Sequence, residues 1–79
     1  MTLIETLKKW DFEQPLPGFA PKLWVKDDIE IHLVDDNTFY LNERIDLPNK
    51  TLHTYVNAEQ LFNLIVAQYA KNLLSSLRS

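Results

Sequence analysis

The chain has 79 residues with eight basic and eleven acidic side chains, a formal charge of −3 and no cysteine. That is enough for one domain, residues 1–79, of a size that buries only about 60% of its unfolded surface, with no disulfide or thiolate metal site to reinforce it. The charge has the wrong sign for a phosphate-binding patch and is too small for a nucleic-acid mimic. Met1-Thr2-Leu3-Ile4-Glu5 places an acid where a secretory signal carries its positive region. The longest apolar run, Leu64 to Ala67, falls far short of the ~20 residues that span a membrane. The expectation is a soluble cytoplasmic protein.

Thr2-Leu3-Ile4-Glu5 has the spacing of a capping box, and Leu3, Leu7 and Trp10 recur at i, i+4 and i+7. A short helix from Leu3 to Trp10 is predicted. Such a helix does not hold in isolation, so it must dock on the sheet or on another helix. Pro15, Pro17, Gly18 and Pro21 follow, and predict a rigid extended connector along which Phe12, Leu16 and Phe19 lie against the domain. Pro15-Leu16-Pro17 is not the spacing of a polyproline ligand.

From Lys22 the apolar period changes to two. Strands are predicted at Lys22–Lys26, Ile29–Val34, Thr38–Asn42 and Thr51–Val56, separated by Asp27-Asp28 and Asp35-Asp36-Asn37. The only glycine lies outside both turns, so aspartate or asparagine must supply any positive φ there. Residues 22–34 could also form one bent strand. Glu43 to Leu47 continues the third strand or opens a loop, and Pro48-Asn49 marks a turn.

Alternation assigns Leu23, Val25, Ile29, Ile31, Leu33, Phe39, Leu41, Leu52 and Val56 to the covered face of the sheet. The other face then shows Trp24, Glu30, His32, Tyr40, His53 and Tyr55, an aromatic mixture of the kind enriched in interface cores.

Asn57 to Arg78 reads as one long amphipathic helix. Asn57 is the cap, Gln60 can reach back to it, and Val56 with Leu61 has the spacing of a hydrophobic staple. Ala58, Leu61, Phe62, Ile65, Val66, Tyr69, Leu73 and Leu77 form a stripe suited to lie on the sheet. Leu64, Ala67, Ala70 and Leu74 fall outside its centre, so more of the circumference is apolar than one sheet can cover. The N-terminal helix, a second copy or another protein are the candidate covers; were the N-terminal helix instead to cover the aromatic face of the sheet, the molecule would have three thin layers.

The sequence therefore predicts an α+β fold in the order α-β-β-β-β-α, with an antiparallel sheet of three to four strands packed on a long C-terminal helix. No catalytic constellation stands out, and no cofactor is implied. The favoured function is a non-catalytic protein-interaction module, an inhibitor, adaptor or accessory subunit, with a symmetric homodimer as one form of it. Trp24, His32, Tyr40, His53, Tyr55, Leu64 and Leu74 are the candidate partner-binding residues. One alternative is a nucleic-acid-binding accessory protein stacking bases on Trp24, Tyr40 and Tyr55, disfavoured because no lysines or arginines interleave with them. The other is a metal-dependent enzyme at His32 and His53, with Glu30 nearby.

Overall fold

A computed structural model describes residues 1–44 and 50–78. The continuation of the third strand through Ile45–Leu47 and the turn at Pro48-Asn49 lie outside the described residues. Helix α1 (Leu3–Lys9) is followed by strands β1 (Leu23–Lys26), β2 (Ile29–Leu33), β3 (Thr38–Glu43) and β4 (Thr51–Thr54), then helix α2 (Ala58–Arg78). The strands form one antiparallel sheet in chain order. Residues 22–34 are thus a hairpin and not one bent strand.

The start of α1 is the predicted capping box. The Thr2 side chain accepts from the Glu5 amide at 3.1 Å, and the Glu5 carboxylate accepts from the Thr2 amide at 3.0 Å. Those bonds hold the Glu5 carboxyl below its usual range. The helix stops at a Schellman arrangement, in which the Asp11 amide donates to the Lys8 carbonyl and the Phe12 amide to the Leu7 carbonyl. Asp11 takes the left-handed conformation (φ 63°) that this motif requires, and Leu7 and Phe12 then meet in the core.

The connector departs from the extended form. Amides of Phe19 and Ala20 turn back to the Leu16 carbonyl, and the Gln14 side chain donates to the Pro21 carbonyl. Of its three large apolar residues only Phe12 is buried, while Phe19 is 88% exposed. Glu13 exchanges two backbone hydrogen bonds with Val25, which covers part of the free edge of β1.

Strand register overturns the predicted face of β1 and β4. The two-residue turn Asp27-Asp28, with Asp27 at φ 52°, pairs Lys26 with Ile29 and therefore Trp24 with Ile31. Trp24 is on the covered face; Leu23 and Val25 are on the other. In β4, His53 pairs with Phe39 and Leu52 with Tyr40, so His53 lies inward and Leu52 outward. A one-residue shift in pairing parity exchanges every side chain between faces. In the second turn the Asp35 carboxylate accepts from the amides of Asn37 and Thr38, which lowers its pKa.

Both helices pack on the same face, giving two layers and not three. Leu3, Leu7 and Phe12 from the N-terminal segment and Leu61 and Ile65 from α2 share one cluster with Trp24, Ile29, Ile31, Leu33, Phe39 and Leu41. Tyr55 ties the N-terminal segment to the end of the sheet, its hydroxyl lying 3.0 Å from the Thr6 hydroxyl and 3.1 Å from the Met1 carbonyl, to which it donates.

At the start of α2 the Asn57 side chain accepts from the Gln60 amide at 2.8 Å, the predicted cap. The Gln60 side chain reaches past the cap, donating to the Thr54 carbonyl and accepting weakly from the Val56 amide at 3.4 Å. The predicted staple is not made, since Val56 is 69% exposed while Leu61 is fully buried. No helix among the described residues is long and apolar enough to cross a membrane.

Candidate functional site: the outer stripe of the terminal helix

The 21 residues of α2 extend over roughly 30 Å. Its inner side carries Leu61 and Ile65 onto the sheet, and the buried Asn72 then fixes its position along the first hairpin. The Asn72 amide donates to the Asp28 carbonyl at 3.3 Å, its oxygen accepts from Gln68 at 2.7 Å, and the Tyr69 hydroxyl donates to an Asp27 carboxylate oxygen at 2.9 Å. Burial and then that bond to Asp27 push the Tyr69 phenol above its usual pKa, so it remains a donor across the physiological range. Past Asn72 the helix projects beyond the hairpin, and Leu73, Leu74 and Leu77 all stand exposed.

The predicted single stripe therefore divides. Leu61 and Ile65 are core, but Phe62, Val66, Tyr69, Leu73 and Leu77 run beside them along the outside, between 37% and 74% exposed. Their intervals of four, three, four and four residues keep them on one line of the helix. The N-terminal helix covers only the first of them, where Trp10 meets Phe62 edge-on with ring centroids 6.1 Å apart at 74°. Below that contact lies a groove of about 280 Å³ bounded by Trp10, Asp11, Phe12, Lys26, Phe62, Ile65, Val66 and Tyr69. Lys26 is fixed at its rim by donating to the Trp10 carbonyl at 2.8 Å. The groove falls just under the ~300 Å³ where small-molecule sites begin, and suits one or two aliphatic side chains.

A larger open cleft of about 590 Å³ lies between the start of α1, the β2–β3 turn and Tyr55-Val56. Two of its polar side chains are already engaged, Glu5 with Thr2, and Tyr55 with Thr6 and Met1. It is the more polar of the two cavities, its wall shared between those groups and the exposed side chains of Met1, Ile4 and Val56.

The sequence-predicted residues are dispersed. Trp24 is 4% exposed in the core, its indole N–H without an acceptor among the described residues. His53 is half-buried on the covered face, tilted against Phe39 at 5.7 Å, and burial pushes its pKa down. Tyr55 is half-buried beneath the N-terminal segment, and Leu64 is half-buried against the core. Only His32 and Tyr40 occupy the open face, neighbours across β2 and β3, with the Lys50 ammonium 4.6 Å from the centre of the Tyr40 ring. Leu74 alone of the predicted helix residues is freely exposed.

Two consequences follow for the alternatives. His32 and His53 lie on opposite faces of the sheet, so the two-histidine set does not assemble. Trp24 and Tyr55 belong to the covered side and Tyr40 to the open one, so the three rings form no stacking platform. Sequence reasoning missed Trp10 as a site residue, although its place at the end of an amphipathic helix was visible. It also missed the second line of α2, because both lines fall within one broad apolar arc. No protein-family model matches the chain, and neither a curated protein nor a solved structure resembles it significantly.

Proposed function

We propose that the chain is a small non-catalytic binding module, an inhibitor, adaptor or accessory subunit, that engages a protein surface through the outer line of α2. The observation that carries this reading is the row Phe62, Val66, Tyr69, Leu73 and Leu77, five large apolar side chains left between 37% and 74% exposed on a single helical line. Exposed apolar patches on monomers rarely exceed a few hundred Å², and a larger one marks a binding surface. Trp10, Phe62 and Tyr69 supply aromatic anchors around a groove, and Asp11, Lys26 and Asp27 supply a polar rim. The row stands on a helix already held at Asn57, Leu61 and Asn72, so little ordering entropy opposes binding.

Affinity capture from source cells with tagged wild type and a Val66→Glu/Leu73→Glu variant tests this. The expected result is a bound protein, which can be the chain itself, recovered with wild type and lost with the variant, while both give the same far-ultraviolet circular dichroism. Equal recovery of every bound protein by the two would refute the assignment of the surface.

A further inference from the structure

Resting on that reading, we infer that the occupant of the outer line is a second copy of this chain, its α2 running antiparallel to the first about a two-fold axis near Tyr69 and Ala70. Three observations carry the inference.

The first is area. Phe62, Val66, Tyr69, Leu73 and Leu77 together leave on the order of 500 Å² of apolar side chain open on each copy. Joined across a two-fold axis, that surface and its rim reach the ≈ 1,000 Å² total that a specific interface needs. The second is spacing. Phe62, Val66, Tyr69 and Leu73 follow the 4-3-4 alternation of a two-helix seam, and α2 carries no charged residue from Gln60 to Ala70. A neutral self-complementary seam brings no like charges together when it meets its own copy.

The third is shape, and it sets the direction. The Phe62 end of the line has the rest of the domain beside it and the groove next to Trp10, whereas the Leu73–Leu77 end projects past the hairpin. Antiparallel pairing lays the projecting end of each copy over the groove of the other, with Leu77 of the second copy directed at Phe62. Parallel pairing would set groove against groove and leave both projections to meet only each other. Antiparallel helices also oppose their macrodipoles favourably.

The test uses the absence of cysteine from the chain. In the antiparallel seam Val66 faces Leu73 of the second copy, while the two Val66 positions stand roughly 10 Å apart along the axis at 1.5 Å rise per residue, beyond the ~7 Å Cα limit of a disulfide. Mild oxidation of an equimolar mixture of Val66→Cys and Leu73→Cys is therefore expected to give a linked heterodimer. Neither variant alone should link. Sedimentation of wild type at sub-millimolar concentration should show a dimer, and Val66→Glu/Leu73→Glu should weaken it roughly 100-fold or more by burying unpaired charge.

Wild type that sediments as a monomer overturns the inference. So does self-linking of Leu73→Cys alone. If the monomer nevertheless captures a foreign protein that Val66→Glu/Leu73→Glu loses, the binding-module reading stands and only the second copy is wrong. If capture is also indifferent to those substitutions, both fail.

Discussion

The two apolar lines of α2 run side by side and meet opposite fates. Leu61 and Ile65 lie against β2 and β3 in the core, and one residue further along, Phe62 and Val66 face outward. Hydrophobicity set both lines, but a residue is covered only where another element reaches it, and α1 ends at Trp10, beside the first residue of the outer line. The inner line belongs to the stability of the fold. The outer line is the surface proposed above to bind a partner.

The sharpest way to break that contrast is a matched pair of truncations. Leu61→Ala should cost about 2–5 kcal/mol, because it removes buried methyl groups and leaves a cavity. Leu73→Ala should stay within about 0.5 kcal/mol at concentrations where the chain is monomeric, as surface substitutions do. Denaturant unfolding at two protein concentrations measures both, and a large loss for Leu73→Ala in dilute solution would mean that the outer line is covered within one chain.

A smaller effect is expected where the two lines end. Asn72→Ala removes the bond to the Asp28 carbonyl and the acceptor for Gln68, and should destabilise by about 1–3 kcal/mol. Hydrogen exchange should show the projecting turn, beyond residue 72, losing protection before the segment around Leu61. If protection falls evenly along the helix, Asn72 is not the point at which the inner line stops.

The inner layer also carries the weakest expected signal, at His53. Burial lowers its folded pKa, so the unfolded chain binds more protons as pH falls through the ordinary histidine range near 6.5. Stability should hold above that range and decline between it and the lowered folded value, then flatten with respect to this group. His53→Gln should remove that slope, as followed by thermal melts from pH 8 to pH 5. A slope that survives His53→Gln belongs to another group.

Much of this arrangement was readable in the residues. The change of period at Lys22, the Thr2/Glu5 box and the Asn57 cap located every element to within a residue or two, and acidic turn residues correctly replaced glycine at Asp27. Facing was the part that escaped. Leu23, Trp24 and Val25 are all apolar, so alternation inside β1 carries no parity, and parity came instead from the turn, where a two-residue connection pairs 26 with 29. Counting that turn would have placed Trp24 opposite Ile31 and inside. In β4, Leu52 and Val56 looked inward by composition, but the Tyr55 amide bonds to the Asn37 carbonyl and carries the pairing on from β4, with His53 beside Phe39. For α2, periodicity reported a wide apolar arc without saying which half the sheet would take. That division depends on where α1 stops and where Asn72 pins the helix, neither of which is local information.

The strand order has a kinetic consequence. Each strand of the meander pairs with its predecessor in sequence, and the first two connections span only two and four residues, so the sheet can form early with little loop-closure entropy. The Tyr55 hydroxyl joins segments 49 and 54 residues apart, to Thr6 and Met1, and its closure belongs late on the folding route. Tyr55→Phe should therefore accelerate unfolding while leaving the refolding rate nearly unchanged.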